Sequence, residues 1–286
     1  MSSLEIIATG PLTTVQDAGR FGHADLGVGR SGAADAASYA LANRLLANPA
    51  GSAALEATLG GLRVRARGAV TVAVTGAEAP VKVDGRGAAA NTVLHLPDGA
   101  ELTLGMPVRG LRTYLGVRGG VDVTPVLGSR STDVLAGLGP EVPAVGAVLP
   151  VGPAPSGFPA VDQAPVAPVG GPEATLRVEL GPREDWFTDE AITTLLNGEY
   201  EVTSRSDRVG ARLSGPVLER APSRSGELPS EGMVVGSLQV PPGGEPVLFL
   251  ADHPVTGGYP VVAVVRTADL PKAAQARPGS RIRFAL

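Results

Sequence analysis

The chain has 286 residues, and 43% of them are apolar, which is enough to bury the core of one large domain or two ordinary ones. It contains no cysteine, so a thiolate nucleophile, a disulfide framework and a Cys-ligated metal are excluded. The formal net charge is −4, aromatic residues make up 3%, and there is no extended basic run. This composition argues against a nucleic-acid partner.

Two further classes of feature are absent from the sequence. The three histidines are far apart and form no local ligand pair, so no metal site is predicted. The amino-terminal segment lacks the basic flank and apolar stretch of a signal peptide, and no apolar run approaches the ~18 residues of a membrane helix. We therefore expect a cytoplasmic protein with no membrane partner.

The predicted elements alternate between short strands and two helices. Asp35 caps a helix over residues 36–47, which Asn48-Pro49 ends. Short alternating runs predict strands at residues 69–75, 100–104 and 113–117. Beyond a proline-rich stretch, Thr188 caps a second helix that Asn197-Gly198 closes. The other predicted strands lie at residues 175–180, 199–203, 246–250, 261–265 and 281–284.

The proline-rich stretch divides the chain. Residues 139–173 hold nine prolines, which remove ladder donors and exclude a central strand or a helix. We interpret this stretch as a linker between a first β-barrel subdomain, residues 1–138, and a second, residues 174–286. The spacing Gly60-x-Leu62-x-Val64-xxx-Gly68 recurs as Gly236-x-Leu238-x-Val240-xxx-Gly244. Chance and a pair of related barrels both account for this repeat.

Polar residues concentrate in glycine-rich loops of the first half. Gln16, Asp17 and Arg20 lie among glycines, and Ser31 follows in Gly29-Arg-Ser-Gly. These side chains suit an anion or amide pocket, while a turn with an internal Asp17–Arg20 ion pair is the structural alternative. Arg118 and Arg130 could likewise hold a carboxylate or phosphate. Their structural alternative is an ion pair with Asp122 or Asp133.

The second half carries two comparable clusters. Asp207 and Arg208 belong to a polar segment before a turn, without the Gly-x-Ser-x-Gly of a serine hydrolase. His253 is the one histidine inside a dense polar motif, and histidine is a common proton-transfer group. The positions that follow it could face an oxyanion, or else form a strained turn with the tyrosine in the core. These positions are Thr256, Gly257-Gly258 and Tyr259.

Together the motifs resemble one family along nearly the whole chain. They include Val15-Gln-Asp-x-Gly-Arg-x-Gly, Leu127-Gly-Ser-Arg-Ser-Thr132, Ser206-Asp-Arg-x-Gly-x-Arg-Leu-x-Gly-Pro216, Leu228-Pro-Ser-Glu-Gly232 and Thr256-Gly-Gly-Tyr-Pro260. The order resembles the KipA, or allophanate hydrolase subunit 2, family. Its members are also known as the C-type component of 5-oxoprolinase and as the C–D part of the carboxyltransferase domain of urea carboxylase. The chain departs from the family where members often have Gln-Thr-Thr-Gly-Gly, because it has His253-Pro-Val-Thr-Gly-Gly there.

The resemblance implies a mainly β fold of two cyclophilin-like β-barrel subdomains with a few short helices. It implies a KipI-like, B-type partner, a third partner of the A type, and ATP with Mg²⁺ at the level of the complex. The expected reaction is the ATP-dependent hydrolysis of 5-oxoproline to glutamate, and the isolated chain is expected to be inactive. Two alternatives stay open. One is a carboxyltransferase component acting on urea or another amide, with biotin on another chain; the other is a regulatory partner of a KipI-like protein.

We predict one substrate cleft between the two halves. Asp17 and His253 are the candidates for proton transfer, and no metal is expected. The other residues are expected to bind the substrate, because glycine-flanked polar loops of an otherwise apolar chain favour a ligand site between domains. They are Gln16, Arg20, Ser31, Arg130, Asp207, Arg208, Gln239, Thr256, Gly257, Gly258 and Tyr259.

Overall fold

The computed structural model describes residues 2–224 and 226–286. Its helices are α1 Ala36–Leu45, α2 Asp189–Asn197 and α3 Leu270–Ala274. Its first strands are β1 Ser3–Thr9, β2 Leu12–Gln16, β3 Ala54–Thr58, β4 Leu62–Arg67, β5 Val70–Glu78, β6 Val81–Val83, β7 Arg86–Ala88, β8 Val93–Leu96, β9 Glu101–Leu104, β10 Arg109–Val117 and β11 Val148–Pro150. The later strands are β12 Glu173–Leu180, β13 Tyr200–Val202, β14 Gly210–Ser214, β15 Glu231–Gly232, β16 Ser237–Gln239, β17 Val247–Phe249, β18 Thr256–Gly257, β19 Val261–Val265 and β20 Arg281–Ala285.

The chain divides into two compact units. The first contains the residues up to Phe21, Asp35–Asp133 and Gly137–Val169. The second contains Gly22–Ala34, Val134–Ala136 and Gly170–Leu286. Two short segments from the first half of the sequence therefore belong to the second unit. The domain boundaries proposed from the proline content stay a prediction.

In the first unit, two antiparallel sheets share one apolar core. The strand order is β11-β1-β4-β9-β6-β7 in one sheet and β2-β3-β10-β5-β8 in the other. Leu4 and Ile6 of β1 and Leu55 of β3 are fully buried in the common core. The outer strands β7 and β11 have three residues each, and β11 ends in Pro150, which has no N–H to donate to a further strand.

In the second unit, the strands close into a barrel. The order around the ring is β12-β19-β16-β17-β14-β13-β20. The ring closes through the parallel pairing of residues 173–177 of β12 with β20. Its interior is filled by aliphatic side chains together with Tyr200 and Phe284. A separate two-stranded ribbon, β15 with β18, lies outside the ring.

The prediction of a mainly β chain is confirmed. Closure into a barrel is found in the second unit, whereas the first unit has two open sheets.

The helix ends follow the local sequence signals. The Asp35 carboxylate accepts a hydrogen bond from Ser38 N, and the Thr188 hydroxyl accepts one from Ala191 N, so both predicted caps are confirmed. All eight predicted strands overlap observed ones. Helix α1 ends at Leu45, two residues before the predicted end. No helix within the described residues is both long and apolar enough to cross a bilayer.

The repeated glycine spacing marks the same local structure in both units. Each copy contains a strand, β4 or β16, and the first and last glycines of each copy take positive φ, which side chains disfavour. These glycines are Gly60, Gly68, Gly236 and Gly244. The aliphatic positions are fully buried: Leu62, Val64, Leu238 and Val240.

The carboxylate of Asp269 attaches α3 to strand β12. It accepts hydrogen bonds from Arg177 Nε at 2.8 Å, from Arg177 N at 2.9 Å and from Lys272 Nζ at 2.7 Å. The hydrogen bonds from Arg177 hold the pKa of Asp269 well below its usual range, although burial opposes this. Since the pKa is lower in the folded state, the stabilisation is present above the unfolded pKa of about 3.9 and is lost as pH falls toward the folded value.

We expect Asp269→Asn to lower the free energy of unfolding by about 1–2 kcal/mol at pH 7, because the two cations are half exposed and partly screened. Urea unfolding at pH 7 and pH 3 measures this, and the difference from the parent chain should shrink at pH 3. Glu179→Gln is the control, because Glu179 is 71% exposed and lies 3.5 Å from Arg266. An Asp269→Asn effect equal at both pH values would contradict the ion-pair explanation.

Candidate functional site

In the first unit, the Asp17 carboxylate holds two loops together. Its Oδ1 accepts hydrogen bonds from Gly19 N at 2.8 Å, Ser129 Oγ at 2.7 Å and Ser131 Oγ at 2.6 Å. Its Oδ2 accepts one from Arg130 N at 2.6 Å. The carboxylate thus accepts four hydrogen bonds, three at Oδ1 and one at Oδ2. This geometry favours an anchoring role for Asp17; its part in proton transfer stays a prediction.

The surroundings of Asp17 are largely closed to solvent. Ser129, Ser131 and Asp17 itself are buried. Burial, reinforced by the negative charge of Asp17, raises the pKa of Tyr39. The Tyr39 hydroxyl therefore stays protonated and donates to the carbonyl oxygens of Ala50 and Ser52.

Gln16 and Arg20 flank Asp17 in the sequence. Their side chains donate to the backbone carbonyl groups of two consecutive residues, Thr132 and Ser131. Gln16 Nε2 donates to Thr132 O at 2.8 Å, and Arg20 Nη2 donates to Ser131 O at 2.8 Å. An Asp17–Arg20 ion pair, the structural alternative raised by the sequence, is not among the ion pairs of the described residues. Arg20 is instead held by carbonyl oxygens.

The two arginines of the next cluster have structural partners. Arg130 Nη2 lies 2.7 Å from the Asp122 carboxylate, and its Nε donates to Val123 O. Arg118 donates to the carbonyl oxygens of Leu46 and Pro155. The Arg130 side chain therefore forms one of the ion pairs that the sequence left open, while its backbone N–H binds Asp17.

In the second unit, Arg208 and Asp252 form a buried bidentate ion pair. Arg208 Nε lies 2.9 Å from Asp252 Oδ2, and Nη2 lies 2.9 Å from Oδ1. The two side chains are 1% and 0% exposed. The carboxylate also accepts from Val134 N at 3.1 Å. A buried pair of this kind is retained only when its remaining hydrogen bonds are satisfied.

Ser31 completes this buried cluster. Its Oγ donates to Asp252 Oδ1 at 2.6 Å, and Arg208 Nη2 donates to the carbonyl of the next residue, Gly32, at 2.7 Å. Ser31 has a φ of +52°, a left-handed conformation that is uncommon outside glycine. Strained, over-determined backbone of this kind is typical of functional sites. The structure thus brings together the predicted residues Ser31 and Arg208.

Gln239 forms a hydrogen bond with the Thr-Gly-Gly-Tyr motif, which begins in strand β18 of the two-stranded ribbon. Gln239 Nε2 donates to Tyr259 O at 3.0 Å. Gly257 is required there, because a Cβ at this position would collide with the Gln239 amide. The Tyr259 side chain is 44% exposed, so it does not fill the core, as the alternative for this turn supposed. Thr256 is exposed on strand β18, and Gly258 follows it in the turn.

His253 and Asp207 stand apart from these clusters. His253 Nδ1 lies 2.8 Å from Pro254 O, and because a carbonyl only accepts, Nδ1 is the nitrogen that donates to it. Nε2 is therefore the ring nitrogen left for the proposed proton transfer. Asp207 caps its own turn by accepting from Val209 N and Gly210 N.

The hydrogen-bond partners of the predicted site residues were not predicted from the sequence. Asp252 precedes His253 in the same motif, and its position beside a glycine-rich turn was a usable signal. Ser129 and Ser131 flank Arg130 at a spacing that places both hydroxyls on one carboxylate. A further buried network was also missed: Tyr114 Oη donates to Glu56 at 2.7 Å.

The predicted residues therefore fall into local groups within each unit. The first unit holds Gln16, Asp17, Arg20 and Arg130, and the second holds Ser31, Asp207, Arg208, Gln239, His253 and Thr256 to Tyr259. The single cleft that would gather them stays a prediction. In the part of the chain that the structure describes, no group of three His, Asp or Glu residues is arranged to hold a metal ion.

Residues 26–286 match the model of a protein family described as the carboxyltransferase domain, subdomain A and B. The chain belongs to the carboxyltransferase family. The resemblance found in the sequence is thereby confirmed, and the matching description names subdomains A and B where the resemblance named the C–D part. Of the predicted site residues, those from Ser31 onward lie inside the matched segment, whereas Gln16, Asp17 and Arg20 precede it.

Known carboxyltransferase relatives are similar over almost the whole chain. The C-type component of the Escherichia coli 5-oxoprolinase is 36% identical over 98% of this chain and 90% of its own length. Urea amidolyase of Lachancea kluyveri is 33% identical over 99% of this chain, which spans 17% of that protein. The crystal structure of the K. lactis urea amidolyase superimposes with a TM-score of 0.93 at 32% identity, over 99% of this chain and 18% of that one.

Proposed function

We propose that this carboxyltransferase chain is the C-type component of an ATP-dependent 5-oxoprolinase. The complex would add water across the lactam C–N bond of 5-oxoproline to give glutamate, together with a KipI-like, B-type partner and an A-type partner. The observation that supports this is the 36% identity to the C-type component of 5-oxoprolinase, across 98% of this chain and 90% of that protein. We place the complex in the cytoplasm, where ATP is available.

The chemical demand of this reaction suits the polar groups of the chain. An unstrained lactam is a poor electrophile, so its carbonyl oxygen must be stabilised as negative charge develops there. Arg20 offers a buried cationic donor for that charge. His253 of the second unit is that unit's candidate for proton transfer, through Nε2, since Nδ1 donates to Pro254 O. Arg208 holds the Ser31-Gly32 backbone in place through its bond to Gly32 O.

ATP is assigned to the complex and not to this chain. When bound with Mg²⁺, it would activate the lactam oxygen and so make hydrolysis favourable. Neither Lys82 nor Lys272 lies in a Gly-x-x-x-x-Gly-Lys-Ser/Thr loop, and the described carboxylates form no cluster suited to magnesium. These residues do not fit ATP, so no step on this chain runs through it.

A second function is favoured by the similarity to urea amidolyase. In that case the chain would help move a carboxyl group from carboxybiotin to urea or another amide, with the biotin carried on another chain. This chain corresponds to 17% of the Lachancea kluyveri protein, so the other activities would reside in further chains. Both reactions handle a planar amide whose oxygen gains negative charge, and therefore both need a similar polar pocket.

We expect the purified 286-residue chain to be folded and inactive towards 5-oxoproline with ATP. Co-expression with B-type and A-type partners should give a complex that forms glutamate and ADP. Size exclusion and a coupled ADP assay measure assembly and turnover, and omission of each protein in turn is the control. Turnover by the chain alone would contradict its assignment to a complex. Carboxylation of urea by a biotin-containing complex, without glutamate formation, would favour the second function.

A further inference from the structure

Gln16 keeps one buried polar atom without a partner. Its Nε2 donates to Thr132 O at 2.8 Å and to Thr14 Oγ1 at 3.0 Å. Because a backbone carbonyl can only accept, the nitrogen of the amide must face Thr132, and the orientation of the side chain is fixed. Gln16 Oε1 is then buried with no hydrogen bond. Gln16 Oε1 is therefore an oriented hydrogen-bond acceptor that has no donor in this structure.

Arg20 has a buried hydrogen-bond donor, Nη1, that likewise has no partner. Its Nε donates to Val126 O at 3.0 Å and its Nη2 to Ser131 O at 2.8 Å, whereas Nη1 is buried with no hydrogen bond. Arg20 is 1% exposed, and it forms no ion pair among the described residues. A buried cation without an anion is costly, so such a group is normally compensated. Arg20 Nη1 is an oriented, charged donor.

The free acceptor and the free donor belong to the same short segment of the chain. Gln16 and Arg20 are four residues apart and are anchored on the carbonyl groups of consecutive residues, Thr132 and Ser131. Between them Asp17 fixes the same loop to Ser129 and Ser131. The arrangement is therefore preorganised before any ligand arrives.

We propose that Gln16 and Arg20 form a subsite for a cis amide, such as a lactam or urea. Gln16 Oε1 accepts the amide N–H, and Arg20 Nη1 donates to the carbonyl oxygen. In a lactam these two groups lie on the same edge of the molecule, whereas an open-chain secondary amide presents them on opposite edges. The subsite thus selects cis amides, and the charge of Arg20 stabilises negative charge at the oxygen during reaction.

The proposal takes its substrate class from the proposed function but concerns binding alone. Both atoms are covered in this structure, so a ligand must be admitted by movement of the loop that contains Gly19 and Gly22. These glycines have φ values of +100° and +81°. Gly139 packs against Ser131 O beside the Arg20 guanidinium, and it leaves no room for a side chain there.

Ligand-observed NMR titration of the full chain tests the subsite with matched probes. We expect 2-pyrrolidone to bind at least ~10-fold more tightly than N-methyl-2-pyrrolidone, which lacks the N–H, and than N-methylacetamide, which is trans. Gln16→Leu should abolish the preference between the two pyrrolidones. Arg20→Gln should weaken 2-pyrrolidone binding by ~10-fold or more, and Arg20→Lys should restore part of it. The exposed Arg86→Gln is the control and should change nothing.

Each outcome decides the proposal. Absence of binding, equal binding of the two pyrrolidones by the parent chain, or a preference that survives Gln16→Leu would overturn it. If a variant fails to fold, the comparison of probes on the parent chain still decides. Hydrolysis of 5-oxoproline by the assembled complex is scored separately. Discrimination by the chain without such hydrolysis would reject the proposed function and keep the subsite, and the reverse result would reject only the subsite.

Discussion

Replacing Arg208 with methionine is expected to lower the free energy of unfolding by about 3–5 kcal/mol, because it leaves the Asp252 carboxylate buried without its cation. In the assembled complex, Arg208→Ala should lose at least ~10-fold in activity, since Ser31 and Gly32 lose their support. Urea unfolding and steady-state kinetics measure the two effects. The same guanidinium binds the Asp252 carboxylate and the Gly32 carbonyl oxygen, so both effects share one cause.

A matched control exists on the surface of the same unit. Arg183 holds Glu231 through a similarly bidentate contact, but both side chains are about one-third exposed. Arg183→Met should therefore lower the free energy of unfolding much less than Arg208→Met does. If the two variants are equally destabilised, burial is not what makes the Arg208–Asp252 pair important. A double variant, Arg208→Met with Asp252→Leu, should regain much of the stability that the single variant loses.

The second large effect is expected at Asp17. Asp17→Asn replaces an acceptor of four hydrogen bonds by a group that must also donate, and we expect a loss of about 2–4 kcal/mol in the free energy of unfolding. Thermal and urea unfolding measure the loss. Asp98→Asn is the control, because exposed Asp98 accepts a single bond from Gly68 N.

The same variant separates anchoring from proton transfer. If Asp17 anchors the loop, Asp17→Asn should raise KM in the assembled complex, and Ser131→Ala should reproduce part of that rise. If Asp17 transfers a proton, kcat should fall, the acid limb of the pH profile should disappear, and Ser131→Ala should leave both unchanged. The geometry leads us to expect the first result.

Local signals in the sequence predicted the local structure well. The caps Asp35 and Thr188 each accept a hydrogen bond from the backbone N–H three residues further along the chain. A contact this short can be recognised from a few neighbouring residues. Strands of β-branched residues such as β19 were predicted with their observed ends. Strand β4 was missed, although Arg63, Arg65 and Arg67 alternate with its buried residues in the pattern that is typical of a half-buried strand.

The site was predictable as a set of residues but not as a set of contacts. Arg208 and Ser31 were chosen for their polar, glycine-rich surroundings, yet the carboxylate that joins them, Asp252, was not. A contact between residues 221 positions apart leaves no mark in local composition. Likewise, the atoms of Gln16 and Arg20 that lack a hydrogen-bond partner can be identified only when the other hydrogen bonds of these side chains are known.

The discontinuous makeup of the second unit has a consequence for how the protein is made. Ser31 leaves the ribosome early, but its partner Asp252 follows 221 residues later. At synthesis rates of about 5–20 residues per second, the two are separated by roughly 10–40 s of translation. During that interval Gly22–Ala34 has no unit to join. A nascent chain must therefore carry this glycine-rich segment unassembled until the residues around Asp252 have been synthesised, and a ribosome that stalls before them leaves the segment exposed to proteases.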